Sequence, residues 1–260
     1  MVKRSSYAIF RSAIYALFLR EMYDSVGIKK IGYFWLFFDV LFIVMVFIGM
    51  RTYLRGIDIP GLDVVVFLAV NIMAFYFFRT SVQTLSGSFS GSSKKLFEYK
   101  QIKPIDIVFA KFLFNLFIRI LATFVLIFVG FYFEFDMAIK DFPGVILAVV
   151  WLIVFTLGWS LLSAILSHFF DFYKRMVHFA MLPILFTSAV FYTVESLPPV
   201  LREYILYNPL VHFMELLHGS YFHALDTKYV DYLYMTYWTI IPFFLALFLY
   251  INSEEGIIAS

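Results

Sequence analysis

Three histidines stand close together late in the chain, His212, His218 and His223. Their separations miss the i, i+4 pair that puts two imidazoles on one helical face around a zinc ion, and no H-E-x-x-H occurs. His212 and Glu215, at i, i+3, point to a polar contact rather than a ligand set. His168, Asp171, Lys174 and Arg175 gather where one apolar run ends and the next begins, an ordinary place for charges at a membrane surface. Gly87, Gly91 and Lys94 imitate a phosphate loop, but the spacing departs from G-x-x-x-x-G-K-[ST] and a membrane-length apolar run precedes them instead of a sheet strand. Cysteine is absent, which removes disulfides and Cys-ligated metals. No nucleophile, base and orienting group fall into a recognisable pattern. The expectation is a chain with no catalytic residue, no metal and no cofactor of its own.

The ionisable groups inside apolar runs are the stronger signal, because charge at bilayer depth is costly and faces a cavity or an opposite charge. Asp39, Lys111 and Arg119 are of this kind. With a helix starting at Pro104, Lys111 lies roughly 10 Å in and Arg119 roughly 22 Å in. Lys111 is close enough to the surface to snorkel, or to pair with Asp39 at a similar level. Arg119 either lines a water-filled path suited to an anionic or heavily hydroxylated solute, or sits near the far interface if its helix is shifted. Aromatic side chains such as Phe34, Trp35, Phe38, Trp159 and Tyr192 either line a passage or simply pack against lipid and protein.

The elements that carry these residues follow from composition. Hydrophobic residues make up 63% of the 260, aromatics 22% with 35 Phe and 18 Tyr, and the mean hydropathy is +0.88, which excludes an ordinary soluble domain. The length accommodates roughly six spans of about 20 residues each. Apolar runs place them near 33–53, 62–83, 105–133, 145–169, 176–194 and 232–251, with prolines at 183 and 242 inside the last two. Lysine and arginine concentrate before residue 31, between 94 and 103, and at 174–175, while the alternate loops hold few. The positive-inside rule then puts both termini in the cytoplasm. The expected fold is an all-α membrane protein, one membrane-spanning domain over residues 1–260: an interfacial segment at 1–30, spans one to five over 33–194, a segment at 195–228, and span six with its tail at 229–260.

Three segments lie outside the spans. Tyr7, Phe10, Ile14, Leu17 and Phe18 recur at helical spacing among Arg4, Arg11 and Arg20, which reads as an amphipathic helix in the headgroup region or else a frayed, basic leader. Between spans two and three, Ser92 or Ser93 caps a short helix over Lys94, Lys95, Leu96, Phe97, Glu98, Tyr99, Lys100 and Gln101. Pro104 stops it. This is either a solvated loop or an apolar-faced knob that a soluble partner grips. Residues 197–207 and 210–222 form two short helical patterns around Asn208-Pro209, too short to cross and too apolar to float free. Such a pair is re-entrant or interfacial, either a lid over an exit or a surface hairpin, with Tyr204, Asn208, Pro209, His212 and Glu215 as its candidate gate residues.

The order of L-F-L-R-E-M-Y-D-S (17–25), G-Y-F-W-L-F-F-D (32–39), the basic knob, and F-Y-T-V-E-S-L-P-P (191–199) before N-P-L-V-H-F-M-E (208–215) resembles the transmembrane subunit of bacterial ABC exporters of capsular polysaccharide. O-antigen exporter permeases are similar more distantly. The resemblance spans essentially the whole chain. It implies a homodimer in the inner membrane, two copies of a separate ATPase that hold the ATP and magnesium, and a coupling helix at Lys94–Gln101. It also implies two re-entrant helices within 196–222, a periplasmic adaptor or co-polymerase, an outer-membrane export protein, and a polysaccharide substrate, free or lipid-linked. Membrane lipid is the surrounding partner, and no nucleic acid is expected. The residues assigned to a translocation path are Arg119, Asp39 and Lys111, an inference from their depth, and Trp35 and Tyr192, whose aromatic faces could contact a sugar chain; none is carried over from the resemblance. The rival readings are an exporter of O-antigen or teichoic acid, a membrane enzyme acting on lipid-linked sugars, and an ATP-independent channel or transporter.

Overall fold

The computed structural model describes residues 6–26, 62–89 and 102–259, and these are almost entirely helical. The expected first span with Asp39 and Trp35, and the expected coupling segment Lys94, Lys95, Leu96, Phe97, Glu98, Tyr99, Lys100 and Gln101, lie outside the described residues. Helix α1 is Ser6–Val26, α2 Val64–Leu85, α3 Pro104–Tyr132, α4 Phe142–Phe169 and α5 Asp171–Thr187. A 3₁₀ turn at Val194–Ser196 leads to α6 (Pro199–Ile205), then α7 (Pro209–Tyr221) and α8 (Tyr232–Ala259). Among the described residues four helices are long and apolar enough to cross a membrane: α2, α3, α4 and α8.

Local chemistry sets their ends. Asp63 caps α2 by accepting from the Val65 N–H at 2.9 Å, and Asp106 closes the start of α3 by accepting from the Lys103 N–H at 3.0 Å, with Pro104 in the first turn. Asp231 does the same for α8, accepting from the Tyr234 N–H at 3.0 Å. At 29 residues α3 is about 43 Å long, more than the hydrocarbon core requires, and so must tilt or protrude.

Helices α2 and α4 form the centre. Phe75, Phe78, Phe155, Phe213 and Met214 meet there, with Phe78 stacked on Phe155 at 5.6 Å. Where α4 crosses α8, a side chain on Gly158 would meet Phe243 Cβ at 3.2 Å and its backbone nitrogen at 3.3 Å, so glycine permits the close approach. Trp151 donates to Thr239 Oγ1 at 3.1 Å, and Trp159 stacks on Trp238 at 5.9 Å, which makes Trp159 a packing residue of this crossing. Helix α3 is peripheral and presents Phe117, Ile120, Phe124, Phe128 and Phe131 outward.

The fifth apolar run departs from expectation. Instead of a span over 176–194, the helix takes in the charged residues Asp171, Lys174 and Arg175 and stops at Thr187. Phe170 alone is the joint between α4 and α5, with extended backbone at both helix ends. Ala189, fully buried, adopts φ of 53° and cannot continue a right-handed helix. The 17 residues reach about 25 Å, short of a hydrocarbon core of about 30 Å.

Candidate functional site

The two ends of the bundle differ in character, and the richer one is formed by residues 188–234. Helix α6 lies on its surface with Val200, Leu201 and Tyr204 exposed. Helix α7 is the opposite: every residue from Leu210 to Ser220 is buried. A helix so enclosed packs within the bundle and does not rest on its surface. Asn208 holds its start. The Asn208 Oδ1 accepts from the Leu210 N–H at 3.1 Å, while Nδ2 donates to Thr187 O at 3.1 Å and Ser188 Oγ at 3.0 Å, tying the end of α5 to the cap of α7. Pro209 occupies the first turn, where a missing N–H costs nothing.

Three ionisable residues on α7 are all bound. His212 donates from Nε2 to Leu206 O at 2.9 Å and accepts at Nδ1 from the Asp231 N–H at 3.1 Å, a pattern that only the neutral Nε2–H imidazole satisfies. Deeper, His218 Nε2 lies 2.8 Å from Asn71 Oδ1, and Asn71 Nδ2 donates to Val190 O at 3.2 Å. On its other side His218 Nδ1 lies 3.1 Å from Glu215 Oε1, which also accepts from the Val194 N–H at 3.1 Å. Since Asn71 presents its oxygen, Nε2 carries a proton, and one further proton is shared between Nδ1 and the Glu215 carboxyl. The pair is net neutral in either form, which is what a site buried to this degree requires. The expected contact between His212 and Glu215 is therefore corrected: Glu215 turns the other way along the helix, to His218. The chain joins α2, α7 and the 190–194 turn.

Arg202 is the residue that sequence reasoning passed over. Its guanidinium donates to Val194 O, Glu195 O and Leu197 O at 2.9–3.2 Å and to the Tyr229 hydroxyl at 2.7 Å, and lies 4.9 Å from the centre of the Tyr229 ring. Its only sequence signal was an arginine in a loop otherwise poor in cations.

The residues proposed at membrane depth fall in separate settings. Lys111 sits beside Glu21 of α1, whose carboxyl is raised above its ordinary value by burial, with Lys111 working in the opposite direction. Helix α1 reaches this position because Leu17 packs on Ile107 and Ala110 and Phe18 meets Phe114 and Phe117 edge-on, at 5.9 and 5.7 Å. Arg119 is half-buried against α2, with Nη1 3.4 Å from Met73 Sδ. Tyr192 donates its hydroxyl to Phe186 O at 2.9 Å in the turn after α5. At the opposite end of the bundle Lys103 Nζ lies 3.1 Å from Glu254 of α8, linking the residues just after 94–101 to the last helix. No group of three or more metal-ligating side chains occurs among the described residues.

The described residues thus form a bundle of apolar helices with one short helix buried at its end, and comparison with known proteins adds the family. Residues 12–222 match the ABC-2 type transporter family. The chain belongs to that family. Its similarity to two of the relatives that follow runs nearly from end to end. It is 26% identical over 261 residues to the polysialic acid transport protein KpsM of Escherichia coli, covering 99% of both chains. It is 26% identical over 259 residues to the capsule polysaccharide export inner-membrane protein CtrC of Neisseria meningitidis, covering 97% of this chain and 95% of that one. To the capsule polysaccharide export inner-membrane protein BexB of Haemophilus influenzae it is 25% identical over 226 residues, covering 84% of this chain and 82% of that one.

Proposed function

We propose that this chain is the membrane-spanning subunit of an ATP-driven exporter that carries capsular polysaccharide out across the bacterial inner membrane, powered by a separate ATPase subunit. The observation that carries the reading is the end-to-end similarity of an ABC-2 family chain to relatives named for capsule export. In this reading the chain has six spans with both termini in the cytoplasm, the short α5 and the 188–194 turn after it together completing the fifth crossing; it pairs as a homodimer and binds two ATPase copies that hold ATP and magnesium. The end carrying residues 188–234 faces the periplasm, where an adaptor and an outer-membrane export protein take over the polymer.

The proposed cycle uses this chain's own contacts. The ATPases close on nucleotide and pull on Leu96, Phe97 and Tyr99. Movement of 94–101 passes into α3 through the helix start at Lys103–Asp106 and into α8 through the Lys103–Glu254 ion pair. That exposed pair is worth little as stability and serves as a link between two helix ends. Helix α7, fixed to α2 by Asn71 and His218, shifts with the bundle and widens or closes the outer passage. Arg119, Lys111, Asp39, Trp35 and Tyr192 are the residues proposed along the path. Tyr204, Asn208, Pro209, His212 and Glu215 belong to the gate, in which Asn208, His212 and Glu215 hold the helices in place.

Deleting the gene in its host and restoring it tests the assignment. Loss of surface capsule with polymer retained in the cytoplasm, reversed by the intact gene, is expected. Capsule unchanged in the deletion strain contradicts it, and loss of another surface polymer, O-antigen or teichoic acid, reassigns the cargo.

A further inference from the structure

On the end of the bundle carrying residues 188–234, α6, the start of α8 and the loop before it enclose an open cleft of about 860 Å³. Its walls are aromatic: Tyr207, Tyr229 and Tyr232 line it, with Glu203, Lys228 and Asp231 at the polar positions. We propose that this cleft is a saccharide-binding site that holds a short stretch of glycan on the outer side of the membrane. The inference deepens the exporter reading and rests on it for the identity of the glycan.

The argument begins from what a sugar ring requires. One face of a pyranose is a patch of C–H bonds, and its rim is a ring of hydroxyls that both donate and accept. A complementary site needs flat apolar surfaces with mixed hydrogen-bonding groups beside them. Tyrosine supplies both, a flat ring and a hydroxyl at the end of it. The polar groups here are of both signs, one lysine against two carboxylates, so no single-sign field selects an ion. The volume lies within the range of small-molecule sites and exceeds what one sugar fills.

The walls are held before any ligand arrives. The Tyr229 ring is gripped by Arg202, which donates to its hydroxyl and lies over its face, while Lys228 lies 5.5 Å from the ring centre. Tyr232 stacks on Trp151 at 6.2 Å with 26° between the planes. The Tyr234 hydroxyl donates to Tyr207 O at 2.7 Å, fixing the backbone that carries the Tyr207 ring. His212 forms part of the lining, but both of its nitrogens are already bound to backbone, so it gives shape rather than contacts. The Tyr229 and Tyr232 rings, fixed by the protein, lose little freedom on binding, which suits a weak and repetitive ligand. Tyrosines of a lipid-facing belt are spread around the bundle; these line a single open cleft together with Glu203, Lys228 and Asp231. Tyr207 as a residue is 74% exposed, so it is available to a ligand and contributes little to the core.

The test uses the full chain with its ATPase partner in lipid nanodiscs, and short oligosaccharides cut from the host's own capsule. Saturation-transfer NMR and a titration measure binding for the intact protein, for Tyr207→Ala, and for Tyr207→Phe, which keeps the ring. Binding by the intact protein, weakened about tenfold in Tyr207→Ala and retained in Tyr207→Phe, is the expected result. Absence of binding to the intact protein, or equal binding in all three, overturns the site. So does release of a co-purifying periplasmic protein by Tyr207→Ala without any saccharide signal, which would mark the cleft as a protein-docking surface. The capsule complementation described above reads separately: restored capsule with no binding defeats this site alone, whereas binding without restored capsule defeats the exporter reading and leaves the site.

Discussion

Helices α7 and α3 both carry ionisable residues among apolar neighbours, and the two use them in opposite ways. On α7, His212, Glu215 and His218 are buried and each is hydrogen-bonded to a defined partner, and the last two help join α2 to the 190–194 turn. On α3, Lys111 lies beside a helix that packs from outside the central bundle, Arg119 rests against a thioether, and the buried amide nitrogen of Asn115 has no hydrogen-bond partner among the described residues. The difference separates a joint from a surface. A closed polar network fixes the helix that bears it, whereas the ionisable groups of α3 sit on a helix at the edge of the bundle, each in a separate setting and none built into a shared network with the others.

The sharpest break of this contrast is His218→Ala. It leaves Asn71 Oδ1 and the Glu215 carboxyl buried without their partner and opens a cavity in the core, and a loss of about 3–5 kcal/mol is expected. Thermal unfolding in detergent should show a large fall in midpoint or no folded protein. A near-unchanged midpoint would mean the network is not a joint. Next comes Gly219→Ala at the end of α7. Its Cβ would approach Thr227 N at 2.8 Å and the Asp226 carbonyl carbon at 2.7 Å, backbone atoms that cannot swing aside. A cost of about 1–3 kcal/mol is expected, read by the same unfolding curve.

Arg119→Ala sharpens the other side of the comparison. The midpoint should move by no more than the equivalent of about 1 kcal/mol while surface capsule falls at equal expression. Unchanged capsule would make Arg119 a packing residue. The smallest effect concerns Glu21. Burial raises its folded value, so the protonated form favours docking of α1 on α3. That contribution is fully present below the unfolded value of about 4.3 and is lost as pH rises through the raised folded value. Protection of the α1 amides, measured relative to their intrinsic exchange rate at each pH, should therefore rise on acidification, and Glu21→Gln should flatten that dependence.

Much of this fold was legible in the chain. The apolar runs located α2, α3, α4 and the start of α8 to within three residues, because length and composition decide what can cross a bilayer. Pro198, Pro199 and Asn208-Pro209 marked α6 and α7 for the same local reasons that cap any helix. Burial was not legible. A thirteen-residue apolar helix reads alike whether it lies on a surface or fills the bundle, and only the surrounding helices decide. The partner of Glu215 was ambiguous for a related reason: His212 at i−3 and His218 at i+3 are equivalent in sequence, and Asn71, more than a hundred residues away, makes the choice. The end of α5 was misplaced because the left-handed Ala189 carries no glycine to announce it. Arg202 and the tyrosines of the cleft were hidden by distance along the chain.

The central claim is that this ABC-2 chain is moved by a separate ATPase gripping residues 94–101. The most direct measurement is the ATPase content of complexes purified in mild detergent, comparing the intact chain with one carrying Leu96→Asp and Phe97→Asp at matched membrane insertion. The account predicts ATPase in equal amount with the intact chain, its loss from the variant, and no ATP hydrolysis by this chain alone. An ATPase retained in full by the variant, or nucleotide hydrolysis by the isolated chain, would contradict it.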